Sequence, residues 1–297
     1  MENKIVPHLW FDKEAKEATE LYTSLFPDSK VKNVTTITDT PSGDCDIVPY
    51  ALAGEDFMSI SAGPHFKLNP SISLFVTFDS EDELEKVWSV LINGGKALMA
   101  LDTYPWAKKY GWVQDKYGLS WQLSTGEHHK MKQKITPMMM FTQDKAGKAE
   151  EAIGFYCNVF PDSKTEMLVP YEIDDDDVEG FIKHARFSLC GQNFMAIDSS
   201  GPHDFIFNEA FSLMVNCDTQ EEIDYYWEKL SAVPESEQCG WLKDKYGVSW
   251  QIVPSVMNEM MGGGDKEKIA RVTQTFLKMK KFNIAELEKA YSRTDST

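Results

Sequence analysis

The sequence predicts an α+β protein. It reads as a tandem duplication of paired βαβββ modules, with curved, mixed but mostly antiparallel sheets, helices on the outside and a C-terminal helical tail. Three observations carry this. A chain of 297 residues is long enough for about two domains. The sequence matches itself in five collinear blocks. One helix accompanies every four strand-like runs, too few to wrap a parallel sheet but suited to a curved antiparallel one.

The blocks are KIVP (Lys4–Pro7) with KITP (Lys134–Pro137), YTSLFPDSK (Tyr22–Lys30) with YCNVFPDSK (Tyr156–Lys164), GEDFM with GQNFM, two GPH turns, and GWVQDKYGLSWQL (Gly111–Leu123) with GWLKDKYGVSWQI (Gly240–Ile252). Their offset stays between 129 and 139 residues, so two domains are duplicated and no short solenoid unit repeats. The expected domains are 1–125 and 134–262, followed by a helical tail over 263–297.

Each copy is read in the same order. Ile5–Phe11 is a strand. Asp12–Phe26 is a helix on the stripe Ala15, Ala18, Leu21, Tyr22 and Leu25, with Asp12 as its cap. Pro27 stops it, lacking an N–H and disfavouring helix in the preceding residue. Strand-like runs follow at Val31–Ile37, Val48–Ala53 and Phe57–Ser61. After the GPH turn, Ile72–Phe78 is a strand and Glu81–Ile92 a helix closed by Gly94–Gly95. Ala97–Leu101, Tyr110–Val113 and Leu119–Leu123 complete the half. Ser124–Gln133 is a polar linker and Gly262–Gly264 a second break. Beyond it, Asp265–Lys281 and Ile284–Tyr291 read as helices, the latter opened by a capping-box-like pair, Asn283 and Glu286. The tail stripe of Ile269, Val272, Phe276 and Met279 needs a partner surface, either its own domain or a second subunit.

Composition narrows the function. Lys plus Arg is 30 and Asp plus Glu 47, a net charge of −17 that opposes nucleic acid and anionic membranes. No apolar run is long enough to span a bilayer, and the start carries no apolar signal core. Five cysteines, none spaced as CxxC, read as free thiols and imply a cytoplasmic location. Cys239 has no cationic neighbour in sequence to activate it.

The opening KI(V/T)P…F, the FPDSK turn, GPHFKLN (Gly63–Asn69), CGWLKDKYGVSWQIVP (Cys239–Pro254) and the tail Arg271–Tyr291 together resemble the vicinal oxygen chelate (glyoxalase/bleomycin-resistance) superfamily. Within it, they resemble the PhnB-like, 3-demethylubiquinone-9 3-methyltransferase-like branch. Metal-using members of that superfamily hold a divalent ion on the inner sheet face through four side chains. The resemblance maps those positions onto Pro7, Ser59, Ser73 and Gln122, and in the second copy onto Pro137, Ala196, Ser212 and Gln251. Neither quartet holds a His or a carboxylate, so no metal and no cofactor are expected. His8 adjoins Pro7, and a slip of one residue reverses the facing of a strand; the second copy has Met138 there. Ser59, Ser73, Gln122, Ser212 and Gln251 become candidate substrate-binding residues. A nucleotide-type cofactor wants a strand, a Gly-rich turn and a helix; Gly262–Gly264 reads instead as a linker.

His65 and His203, repeated in the GPH turns, are candidate catalytic bases or locally bonded turn residues. Trp112, Trp121, Trp241 and Trp250 read as core or pocket wall. Strand alternation puts Ser120, Gln122 and Ser124 on one face and Trp121 and Leu123 on the other. With Gln122 inward, Trp121 faces the helix layer, and Trp250 matches it. Asp174–Asp177 lacks the spacing of a calcium loop and reads as a solvated loop. The linker pair His128–His129 is expected to be exposed and could bind metal ions adventitiously. Three readings follow: metal-free binding of an unknown small molecule; an enzyme using His65 or His203 with Gln122 or Gln251; or a structural or partner-binding duplicate. The expected assembly is an internal pseudo-dimer, with a homodimer through the tail also open.

Overall fold

The computed structural model describes residues 3–126 and 133–293; the pair His128–His129 lies outside them. The first half runs β1 (Ile5–Phe11), α1 (Ala15–Leu25), β2 (Lys30–Val31), β3 (Thr35–Thr40), β4 (Gly43–Leu52), β5 (Glu55–Ser61), β6 (Ile72–Phe78), α2 (Glu81–Leu91), β7 (Lys96–Tyr104), β8 (Ala107–Gln114) and β9 (Ser120–Thr125). The second runs β10 (Ile135–Phe141), α3 (Ala149–Val159), β11 (Lys164–Pro170), β12 (Ile182–Leu189), β13 (Gln192–Asp198), β14 (Phe211–Cys217), α4 (Gln220–Leu230), β15 (Trp241–Lys243) and β16 (Ser249–Pro254). The tail is α5 (Val256–Gly262), α6 (Lys266–Phe276) and α7 (Ile284–Ser292).

The strands form two eight-stranded mixed sheets, and each draws on both repeats. Sheet 1 is ordered β15-β16-β14-β1-β5-β4-β2, with β3 also on β4. Sheet 2 is ordered β11-β12-β13-β10-β6-β9-β8-β7. The first module of one repeat therefore pairs with the second module of the other. The antiparallel seams are β1 on β14 and β10 on β6. The repeat junction near residue 130 is a boundary in sequence and not a boundary between sheets.

The helix ends show why the chain turns where it does. Ser80 and Thr219 cap α2 and α4, accepting from the N–H of Glu83 and Glu222. Asp12 does not cap α1 as expected. The cap comes from the far end of the module, where Ser61 Oγ on β5 accepts the N–H of Ala15. Its counterpart Asp198 on β13 accepts from Gly147 and Ala149 at the start of α3. Both caps tie a helix to the strand that closes its own module.

The second half is shorter. The offset falls from 139 at Ser73/Ser212 to 129 at Gly111/Gly240, and the missing residues are those of β7. A 3-10 turn over Pro234–Ser236 stands in that stretch. The tail then fills the open edge: Cys239 N–H donates to Met279 O (2.8 Å) and Gly240 N–H to Lys280 O (2.7 Å). Gly240 has φ +83°, and a Cβ there would lie 2.5 Å from the Phe282 ring, so both backbone and packing require glycine. Ile269, Val272 and Phe276 of the stripe are buried on the chain itself, while Gln274 Nε2 reaches Asp39 O on β3. The tail thus runs from one edge of sheet 1 to the other.

Candidate functional site

The faces of β1 decide the site. Ile5, Leu9 and Phe11 belong to the core beneath the helices. Alternation then turns Val6, His8 and Trp10 to the inner face. The mapping onto Pro7 is one residue out of register, and His8 holds the inward position. Ser59 is corrected for the same reason. It lies between core residues on β5, wholly buried, and its hydroxyl donates to Tyr50 on the helix side. In the second copy Met138, not Pro137, faces inward, and Ala196 is core.

The exchange of modules also re-partners the quartets. On sheet 1 the pairings set Met58, His8, Ser212 and Ser249 in one row across β5, β1, β14 and β16. Gln251 sits diagonally, its Nε2 donating to Ser212 Oγ at 2.9 Å. The matching row on sheet 2 is Met195, Met138, Ser73 and Ser120, with Gln122 Nε2 donating to Ser73 Oγ at 2.8 Å.

The rows differ in what they leave unpaired. On sheet 2, Ser120 Oγ accepts from Trp112 Nε1 (2.6 Å) and Gln122 Oε1 accepts from Tyr110 (2.8 Å). Phe75, Tyr110, Met138 and Met195 close over the face as an apolar cluster. On sheet 1, Trp241 replaces Trp112 and packs edge-on against His8, with ring centroids 5.5 Å apart. Ser249 Oγ and His8 Nδ1 are buried without hydrogen-bond partners among the described residues. His8 is 4 % exposed, and burial pushes its imidazole down to about 3, opposed only in part by its own backbone, so it is neutral near pH 7. Trp10, 6.0 Å from Trp241, completes the wall. Further along the same face a groove of about 200 Å³ is lined by Val6, Met58, Met214, Asn216, Asn258 and Met261.

These donors do not fit the metal of the wider superfamily. The four mapped positions on sheet 1, His8, Met58, Ser212 and Gln251, offer one imidazole, a thioether, a hydroxyl and an amide; those on sheet 2, Met138, Met195, Ser73 and Gln122, offer no imidazole. Neither holds a carboxylate to neutralise a divalent ion. Among the described residues no group of three His, Cys, Asp or Glu side chains is placed to bind one.

The remaining candidates fall apart by place. His203 bonds Ser199 Oγ through Nε2 at 2.8 Å, and its N–H donates to Gly201 O, as a locally held turn residue. His65 is exposed near Trp10, with centroids 6.4 Å apart. Burial raises the Cys239 thiol, which disfavours the thiolate. In the acidic loop Asp175 pairs with Lys183, and Asp177 accepts from Ser200. Gly262–Gly264 joins α5 to α6, so no strand leads into that turn.

Sequence reasoning missed two buried carboxylates. Asp244 Oδ1 accepts the N–H of Tyr246 (2.8 Å) and Val248 (3.0 Å); Oδ2 accepts Tyr156 Oη and Trp250 Nε1, each at 2.8 Å. Asp115 repeats this with Tyr117, Leu119, Tyr22 and Trp121. Each carboxylate joins a helix packed on one sheet to a strand of the other. Burial pushes Asp244 up to about 6 against those four donors. The signal was present in the repeated DKYG(L/V)SW, whose Asp, Tyr and Trp recur at fixed spacing.

The 3-demethylubiquinone-9 3-methyltransferase family matches the chain twice, over residues 3–124 and 133–253. The chain belongs to this family. It is the PhnB-like branch of the glyoxalase/bleomycin-resistance, or vicinal oxygen chelate, superfamily. Among solved structures, a PhnB protein from Bacillus cereus, described as a 3-demethylubiquinone-9 3-methyltransferase, is 36% identical. It covers 42% of this chain and 100% of its own, with a TM-score of 0.40. Glyoxalase I from Zea mays is 11% identical over 85% of this chain and 94% of its own, with a TM-score of 0.54. That likeness concerns the fold alone. No curated protein matches. Among the described residues no helix is long and apolar enough to cross a membrane.

Proposed function

We propose that this PhnB-like protein binds a small organic molecule on the inner face of sheet 1, through His8, Ser212, Ser249 and Gln251 and without a metal. The observation that carries this reading is the buried, unpartnered pair His8 Nδ1 and Ser249 Oγ in one row of that face. An unsatisfied buried polar atom costs about 1–3 kcal/mol, and a ligand supplying both bonds offsets that cost. The corresponding positions on sheet 2 support the contrast, being apolar at Met138 and already bonded at Ser120. A neutral imidazole and a hydroxyl suit an uncharged ligand with both donor and acceptor groups, and the Trp10 and Trp241 rings suit a flat apolar body. Methyl transfer, named in the family description, forms no part of this reading.

The test is a thermal-shift screen of neutral metabolites on wild type, Ser249→Ala and His8→Phe. A ligand at 100 times its Kd adds about 2.7 kcal/mol of stability. Hits are expected to shift wild type and to lose most of that shift in both variants, while ligand-free Ser249→Ala is no less stable than wild type. Hits that shift all three proteins equally would place the ligand elsewhere, and a screen without hits on wild type would remove the reading.

A further inference from the structure

The inner face of sheet 2 carries a charge, that of Arg186, that nothing among the described residues answers. Its row runs Met167, Arg186, Met195, Met138, Ser73 and Ser120 across β11, β12, β13, β10, β6 and β9. Arg186 is one of only three arginines in the chain. Its neighbours Ala185 and Phe187 are core, so its own side chain leaves the opposite face, beside Met195. Nε is buried with no hydrogen-bond partner among the described residues, and Nη2 meets only the weak acceptor Met167 Sδ at 3.8 Å. No carboxylate stands within ion-pair distance of it among those residues, in a chain with 47 acidic side chains and a net charge of −17. A shortage of carboxylates is therefore not the cause. A guanidinium stays charged at any working pH, and a partly buried one without an anion is costly.

We propose that the inner face of sheet 2 is a second binding site, for an organic monocarboxylate whose carboxylate takes the Arg186 fork and whose apolar body lies along Met195 and Met138. The guanidinium presents parallel N–H donors that match a carboxylate bidentately. One cation matches one negative charge, and a dianionic phosphate brings an excess charge into a strongly acidic protein. The apolar residues that fill this face are Met138, Met195, Phe75 and Tyr110, with Met99 and Tyr104 packed on them. Methionines are unbranched and re-pack readily, so this filling yields to an apolar chain. At the opposite wall Trp106 is 49 % exposed and stacks on Tyr104 with centroids 5.0 Å apart, an aromatic lip on the same cluster. The site is independent of sheet 1, whose counterpart of Arg186 is Pro49.

The test uses full-length protein and three probes, hexanoate, hexanamide and inorganic phosphate, titrated by calorimetry into wild type, Arg186→Met and Arg186→Lys. Wild type is expected to bind hexanoate, and hexanamide and phosphate about tenfold or more weakly. Arg186→Met is expected to lose hexanoate by a similar factor, and Arg186→Lys to fall between, keeping the charge without the fork. Ligand-free Arg186→Met is expected to melt at or above the wild-type temperature, because it removes an unpaired charge and keeps the volume. A lower melting temperature would make Arg186 a structural residue and overturn the proposal. So would hexanamide or phosphate matching hexanoate, unchanged affinity in Arg186→Met, or no hexanoate binding by wild type.

Discussion

Replacing Asp244 by Asn changes one atom in a fully packed site and leaves the volume alone, so its cost reads the hydrogen bonds directly. The retained Oδ1 still accepts from Tyr246 and Val248. The new amide nitrogen faces Tyr156 Oη and Trp250 Nε1, both donors to the carboxylate. The tyrosine hydroxyl can rotate and accept instead. The indole N–H can only donate, and it is left buried and opposed. Losing one charge-assisted bond costs about 1.5–3 kcal/mol and leaving one donor unpaired about 1–3, for a total of about 2.5–6 kcal/mol. Urea unfolding at about pH 8, above the raised pKa of this carboxyl, measures it. The double variant Asp244→Asn/Trp250→Phe removes the opposing donor. It is expected to cost about 1–2 kcal/mol less than the sum of the single changes. Asp244→Asn lying within about 1 kcal/mol of wild type, or a cycle that adds without coupling, would refute this account of DKYG(L/V)SW.

Two further outcomes rest on the same faces. Trp250→Ala is expected to cost about 3–5 kcal/mol, since it empties the space of a wholly buried indole. Gln251→Ala, which loses one bond to Ser212 on the inner face, is expected to cost about 1 kcal/mol. Denaturant midpoints in the reverse order would mean that the strand faces are assigned backwards. His8 provides a pH test. Its folded pKa is depressed to about 3, so between that value and the ordinary imidazole value of about 6.5 the unfolded chain binds a proton that the native state refuses. The stability it contributes is full above the unfolded pKa and is lost as pH falls towards the folded one. Wild type is therefore expected to lose stability against His8→Phe as pH drops through that window, and a pH-independent difference would contradict the buried, neutral imidazole.

The duplicated fold was legible because core patterning and turn chemistry survive in both copies. Tyr22 and Tyr156, the FPDSK stops and the two SWQ strands kept their spacing while surface residues drifted. The facing of Trp121 and Trp250 followed from period-two alternation and holds, since both are wholly buried on the helix side. Sheet composition was not legible. Periodicity identifies a strand and its faces but says nothing about which strand lies beside it, so the exchange of modules was hidden. The register of β1 was missed for a related reason. A run such as IVPHLWF is apolar on both faces, so alternation offered no choice between Pro7 and His8. Asp12 was credited with a cap that Ser61 supplies from 46 residues away in sequence, because a long-range cap leaves no local signature.

The exchange explains how the two inner faces came to differ. Each draws its β1-type strand from one repeat and its SWQ strand from the other. His8 against Met138 therefore changes one face without touching the SWQ strand of its own repeat. The loss of β7's counterpart acts on one face alone. It removes an edge strand from sheet 1, leaves the N–H groups of Cys239 and Gly240 without a strand partner, and makes room for Met279 and Lys280 to accept from them. An uncovered edge is a liability for aggregation, and here the chain's own tail meets it. The same tail spans from Asp39 on β3 to Gly240 beside β15. The sheet on which His8 Nδ1 and Ser249 Oγ lack partners among the described residues is thus the one the tail spans from edge to edge, whereas the sheet that carries Arg186 keeps its β7 edge strand.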